Sequence, residues 1–148
     1  MRRRSIIAWQ ILLCLCLLAV WIGRAEAGFV VVRNAKNATA KLAKDAIKGV
    51  FSGRTKTWPG GETIILVIGT EDSAAMQWLA GSILGVSAKT YLTKIKQDVF
   101  KGDLPHPLSA NDDAVTLKRV LSGSGVVGLI SDGAAGSLPA GVLVIAIE

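Results

Sequence analysis

The chain has 148 residues, 17 basic against 11 acidic side chains for a net charge of +6, and 51% apolar residues. That length accommodates one domain with a real hydrophobic core and leaves no room for two lobes. The basic excess does not mark a nucleic-acid binder, because the lysines are scattered along helical segments rather than massed on one stretch.

Residues 1–27 read as a cleavable signal peptide. Arg2, Arg3 and Arg4 form a basic start, Ile6 to Ile22 an apolar stretch, and Ala25-Glu26-Ala27 a small-x-small cleavage pattern. Left uncleaved, the same stretch would be a membrane anchor. Cys14 and Cys16 both lie within it, so the mature chain has no thiol or disulfide chemistry. Its removal leaves residues 28–148 as a single domain with 13 basic and 10 acidic side chains.

Phe29–Val32 is a short, continuous apolar run that predicts a buried strand. Leu42, Ala43, Ala46, Ile47, Val50 and Phe51 then recur at helical spacing, with Asn37 or Thr39 as the cap and Gly53 as the stop. Pro59 and Gly60-Gly61 force a turn into a second strand, Thr63–Ile68. A second helix follows from Ser73 to Leu84, facing inward through Met76, Leu79, Ala80 and Ile83, with Gly85 behind it. A third spans Ala88–Phe100, capped by Ser87, with Tyr91 or Leu92, Ile95 and Val99 inward. Pro105 and Pro107 make Leu104–Leu108 an extended surface loop. The fourth helix begins after Asn111 and Asp112, uses Ala114, Leu117, Val120 and Leu121, and ends at Gly123. Val126–Ile130 and Val142–Ile147 complete the strands. Strands alternating with helices predict an α/β fold with a mostly parallel sheet.

Several motifs carry less than their letters suggest. Gly123-Ser124-Gly125-Val126-Val127-Gly128 matches GxGxxG, but a helix precedes it and a strand follows, the reverse of a dinucleotide loop. Its glycines instead stop the helix, make the turn and thin the strand for close packing. Asn37-Ala38-Thr39 matches a glycosylation acceptor by chance. His106, the single histidine, has no second ligand in reach along the chain, which argues against a metal site, and no cofactor motif is present. Asp112-Asp113 reads as a helix start rather than a catalytic pair.

Gly69-Thr70-Glu71-Asp72-Ser73 is the candidate ligand site. It lies at the carboxyl end of a buried strand, where α/β sheets place ligands, and it opens a helix whose first amides are free to bind an oxyanion. Thr70 and Ser73 add hydroxyls. The same residues also permit a purely structural role, with Asp72 or Ser73 capping the helix.

The motif order resembles the phosphate-type periplasmic substrate-binding proteins of ABC transporters. Ile47–Pro59 resembles the family's Ile-Phe-x-Gly…Trp segment, and Phe29–Asn34 its opening strand. Tyr91 through Phe100-Lys101-Gly102 and Pro105–Pro107 are similar to its Y-W…F-x-G-x-x-P-P stretch. Gly125–Ile130 is similar to its G-A-I-G-Y-V strand, with Leu129 in place of tyrosine. The resemblance implies a three-layer α/β/α sandwich like one lobe of a type II periplasmic binding protein. It also implies a periplasmic, non-enzymatic protein that binds phosphate or another small oxyanion through Thr70, Asp72 and Ser73, with an inner-membrane permease or other envelope protein as partner. Nucleic acid is not expected as a partner, and the membrane only through an uncleaved signal segment. The family's R-x-x-x-S-G-T phosphate loop, aligned on Ser73, places Gly69 at the arginine and Ala74-Ala75 at the Gly-Thr pair, so only the serine is retained. A protein-interaction module that has lost its ligand is the alternative.

Overall fold

A computed structural model describes residues 28–148; the expected signal segment, residues 1–27, lies outside the described residues. Six strands form one sheet: β1 Phe29–Asn34, β2 Lys41–Leu42, β3 Ile65–Ile68, β4 Leu108–Ser109, β5 Val126–Ser131 and β6 Val142–Ile147. Their spatial order is β2-β6-β1-β5-β3-β4. β3 pairs parallel with β4 and β5, and β2 with β6, while β1 lies antiparallel between β5 and β6. Five strands therefore share one direction and β1 alone opposes them, which makes the sheet mostly parallel as expected.

Helices cover both faces, giving the expected three layers. On one face lie α1 Lys44–Phe51, α2 Ala74–Trp78 with its π-helical continuation Leu79–Leu84, and α3 Ala88–Phe100. Ile47, Phe51, Met76, Leu79, Tyr91 and Ile95 from these helices pack on Val31, Leu66, Val127, Leu129 and Ile145 of the sheet. The other face carries α4 Asp113–Leu121 and a single turn, α5 Asp132–Ala135, over Val32, Val67, Val126, Ile130 and Val142. No helix among the described residues is long and apolar enough to cross a membrane.

The helix stops follow their glycines. Gly85 takes φ 71° behind the π-helical stretch, and the Val86 N–H reaches back to the Ala80 carbonyl at 2.9 Å. Gly53 takes φ 76° after α1. Gly125 is required by close approach, since a Cβ there would lie 2.0 Å from the Thr63 carbonyl oxygen. Trp58, 3% exposed, donates its indole N–H to the Gly125 carbonyl at 3.0 Å. The Trp of the Ile47–Pro59 segment thereby ties the α1–β3 crossover to the start of β5.

Four expectations need correction. Helix α1 begins at Lys44 behind Ala43, which makes no side-chain cap, rather than at Asn37 or Thr39. Asn37 is instead buried, accepting the Thr39 N–H at 2.9 Å while its own carbonyl receives the Arg33 guanidinium, and Lys41–Leu42 pairs as a strand. Local turn bonds and the sheet edge win over helix propagation there. In α4 Val120 and the half-buried Leu117 pack inward as expected, joined by Thr116, while Ala114 and Leu121 are exposed. Thr116 can be buried because its hydroxyl donates to the Asp112 carbonyl at 2.9 Å. Strand β6 is covered only in part: Val142 and Ile145 are buried in the two core layers, while Leu143, Val144 and Ile147 remain exposed.

Candidate functional site

The carboxyl ends of β3, β4 and β5 and the start of the opposing β1 meet at one edge of the sheet. Helices α2 and α4 begin there from opposite faces, and a cavity of about 420 Å³ opens between them. Its walls are largely apolar, from Phe29, Val67, Ile68, Met76 and Leu129, and Phe29 stacks at a tilt on Trp78 with ring centroids 5.7 Å apart. Polar groups enter from the two helix starts: Ser73 on one side, Asn111, Asp112 and Asp113 on the other, and Ser131 from the end of β5.

Ser73 is the N-cap of α2. Its hydroxyl accepts the Met76 N–H at 3.3 Å and donates to the Thr70 carbonyl at 2.9 Å. Ala74 and Ala75 also line the cavity, and their N–H groups, in the first helical turn, have no carbonyl four residues back within the helix to accept them. Thr70 and Asp72 are exposed on the loop before the helix and do not line the cavity. Of the three sequence-expected site residues, the fold brings only Ser73 to the cavity wall. The capping role falls to Ser73 rather than Asp72.

Gly69, the position aligned with the arginine in the resemblance, packs closely against its surroundings. A Cβ at this position would stand 2.6 Å from the Ser73 hydroxyl and 3.2 Å from the Ala110 carbonyl oxygen. A side chain there would have to displace the Ser73 cap and press on backbone.

Opposite Ser73, Asp112 caps α4 by accepting the Val115 N–H at 2.8 Å, as a helix-start acid should. Asp113 turns to the end of β5, where its two carboxylate oxygens accept the Ser131 N–H at 3.2 Å and the Ser131 hydroxyl at 2.6 Å. Sequence reasoning missed this pairing, which spans residues far apart along the chain. Its only sequence signal was a serine directly after a buried strand. No lysine, arginine or histidine among the described residues lines the cavity, so an anion held by these residues relies on neutral donors. Among the described residues, no cluster of three His, Cys, Asp or Glu side chains is placed to hold a metal ion. His106 is exposed on its loop.

No known family profile and no curated protein matches the chain in sequence. Solved structures do match in fold. An ABC-type phosphate transport receptor from Vibrio cholerae aligns with a TM-score of 0.60 at 21% identity, over 82% of this chain and 46% of the receptor. PstS from Borrelia burgdorferi gives 0.65 at 8% identity, over 82% and 47%. A phosphate binding protein from Stenotrophomonas maltophilia gives 0.59 at 16%, over 82% and 39%. The chain thus spans less than half the length of each of these proteins. Over that span, it has the fold of the phosphate-type binding proteins of ABC transporters.

Proposed function

We propose that the protein is a periplasmic binder of phosphate or a similar small oxyanion, exported behind residues 1–27 as a cleaved signal peptide, and that it acts by binding rather than by catalysis. The observation that carries this reading is the cavity at the carboxyl ends of β3, β4 and β5, with the Ser73 helix start on its wall, in a fold shared with proteins named for phosphate binding or transport. The ligand contacts in this reading are the Ala74 and Ala75 amides, joined by the Ser73 hydroxyl once its proton turns from the Thr70 carbonyl to the ligand. Thr70 and Asp72 meet the ligand only from the exposed rim. A permease or another envelope protein is the proposed partner.

Without a guanidinium clamp, and with Asp112 and Asp113 across the cavity, the affinity is expected to be weak, with Kd on the order of 1 mM. Calorimetric titration of the protein with phosphate tests this. Heat of binding is expected at millimolar phosphate and should vanish in Ser73→Asp, which keeps a capping oxygen for the helix but sets a negative charge against the ligand. An absence of heat, or unchanged binding in Ser73→Asp at unchanged thermal stability, removes the site. That result would leave the protein-interaction module as the working description.

A further inference from the structure

The outer face of α3 carries a feature that the oxyanion reading does not use. Tyr91, Leu92 and Ile95 turn inward, while Lys89, Thr93, Lys96 and Phe100 recur at helical spacing along the solvent side, all exposed. Phe100 is 92% exposed at the last position of the helix, followed by exposed Lys101. Behind it lies a concavity of about 590 Å³, floored by Ile68 and Ile95 and walled by Val99 and Pro107, with Lys96 at its rim. The charges on this side are mostly basic. Asp98 lies on the flank of the helix, where Lys94 engages it while also donating to the Ser52 carbonyl at 3.1 Å. Asp103, in the turn that follows, is the nearby acid, against Lys89, Lys96 and Lys101.

We infer that this face docks on an anionic lipid surface, with Phe100 inserted at the headgroup level and Lys89, Lys96 and Lys101 against the lipid phosphates. An aromatic side chain beside basic residues on one helical face is the composition of an interfacial segment. A fluid headgroup layer buries a protruding phenyl ring without a preformed pocket, and the lysines around it favour a surface of anionic charge. The adjacent sheet edge offers few free groups to a competing occupant, an added peptide strand. The Ala110 N–H bonds inward to Ile68 at 3.0 Å, so by strand alternation the outward N–H positions are 107 and 109. Position 107 is proline, and the Ser109 carbonyl is taken by the Arg119 Nε–H at 3.2 Å. Ile68 lines both this concavity and the proposed ligand cavity, so docking would hold the ligand cavity close to the lipid surface.

The test uses the full chain with Cys14→Ser, Cys16→Ser and Gln97→Cys, labelled at position 97 with an environment-sensitive fluorophore. Vesicles of pure phosphatidylcholine are compared with vesicles containing phosphatidylglycerol, and the Phe100 and lysine variants, which keep the basic start of residues 1–27, control for attraction of that segment to the anionic vesicles. A blue shift with the anionic vesicles only is expected, and it should be lost in Phe100→Ser and in the Lys89→Glu, Lys96→Glu pair. Equal emission on both vesicle types, or a shift that survives Phe100→Ser, overturns the proposal. So does a response that appears only with an added acidic protein.

Discussion

Tyr91 lies in the core between α3 and the sheet, 2% exposed, with its hydroxyl buried and without a hydrogen-bond partner among the described residues. Burial pushes its phenol well above the usual tyrosine range, because the low-dielectric core disfavours the phenolate. A raised folded-state value gives a stability contribution fully present below the unfolded pKa of about 10, and lost as pH rises from there toward the higher folded value. Tyr91→Phe removes an unsatisfied hydroxyl and is expected to leave neutral-pH stability unchanged or raised by about 1 kcal/mol. It should also flatten the alkaline loss. Urea unfolding at pH 7 and above about pH 10 checks both, and a destabilised Tyr91→Phe would mean the hydroxyl has a partner. At this scale the sequence was legible where a residue's inward face was repeated by neighbours, as for Met76, Leu79 and Ile83. It was not legible at Asn37, whose turn bond and contact with Arg33 depend on where β1 ends.

Helix ends were the most legible elements. Ser87 accepts the Thr90 N–H at 3.1 Å and Asp112 the Val115 N–H, and glycines follow α1 and the π-helical stretch. These are local decisions: a short polar side chain satisfies the first amides, and only glycine enters the left-handed region without strain. At Gly85 an added Cβ would meet no atom within 4 Å, so Gly85→Ala tests the backbone alone. A loss of about 1 kcal/mol is expected in chemical denaturation, against a similar loss of about 1 kcal/mol for Asp112→Ala through the lost cap. No loss in Gly85→Ala would show that the stop is set by Val86 and the helix packing instead. The strands were legible as apolar runs but not in their directions. Nothing in Phe29–Asn34 distinguishes a strand that opposes its neighbours from one that follows them. The two-residue strands β2 and β4 were invisible because they exist only through their partners β6 and β3.

For the whole molecule, both core layers rest on opposite faces of one sheet, and β1, β3 and β5 contribute to each. Neither layer can open without exposing the other's strands, so unfolding is expected to be a single cooperative transition. Tryptophan fluorescence of residues 28–148, which senses Trp58 and Trp78 in the first layer, and far-ultraviolet dichroism, which senses all helices including α4, should give one midpoint. Separate midpoints would show that the α4 layer melts alone. The candidate cavity belongs to this scale as well. It draws Phe29, Ile68, Ser73, Asp113 and Ser131 from five elements, and the sequence supplied only the Ser73 loop, because a strand end that opens a helix is recognisable locally.

The sequence by itself determined the alternation of strands and helices, the helix stops and the Ser73 helix start. Each of these follows from side-chain periodicity or from bonds between residues a few positions apart. The motif order in Ile47–Pro59 and Gly125–Ile130 also anticipated the fold that the solved structures share. Only the tertiary structure decided that β1 runs against the sheet, that Asp113 bonds Ser131, and that Thr70 and Asp72 stay outside the cavity. It also set the Ala110 carbonyl oxygen, from a distant strand end, 3.2 Å from where a side chain at Gly69 would begin, beside the local limit of the Ser73 hydroxyl at 2.6 Å. These contacts are long-range. They arise from packing two layers on one sheet, and no local pattern encodes which chain ends will meet.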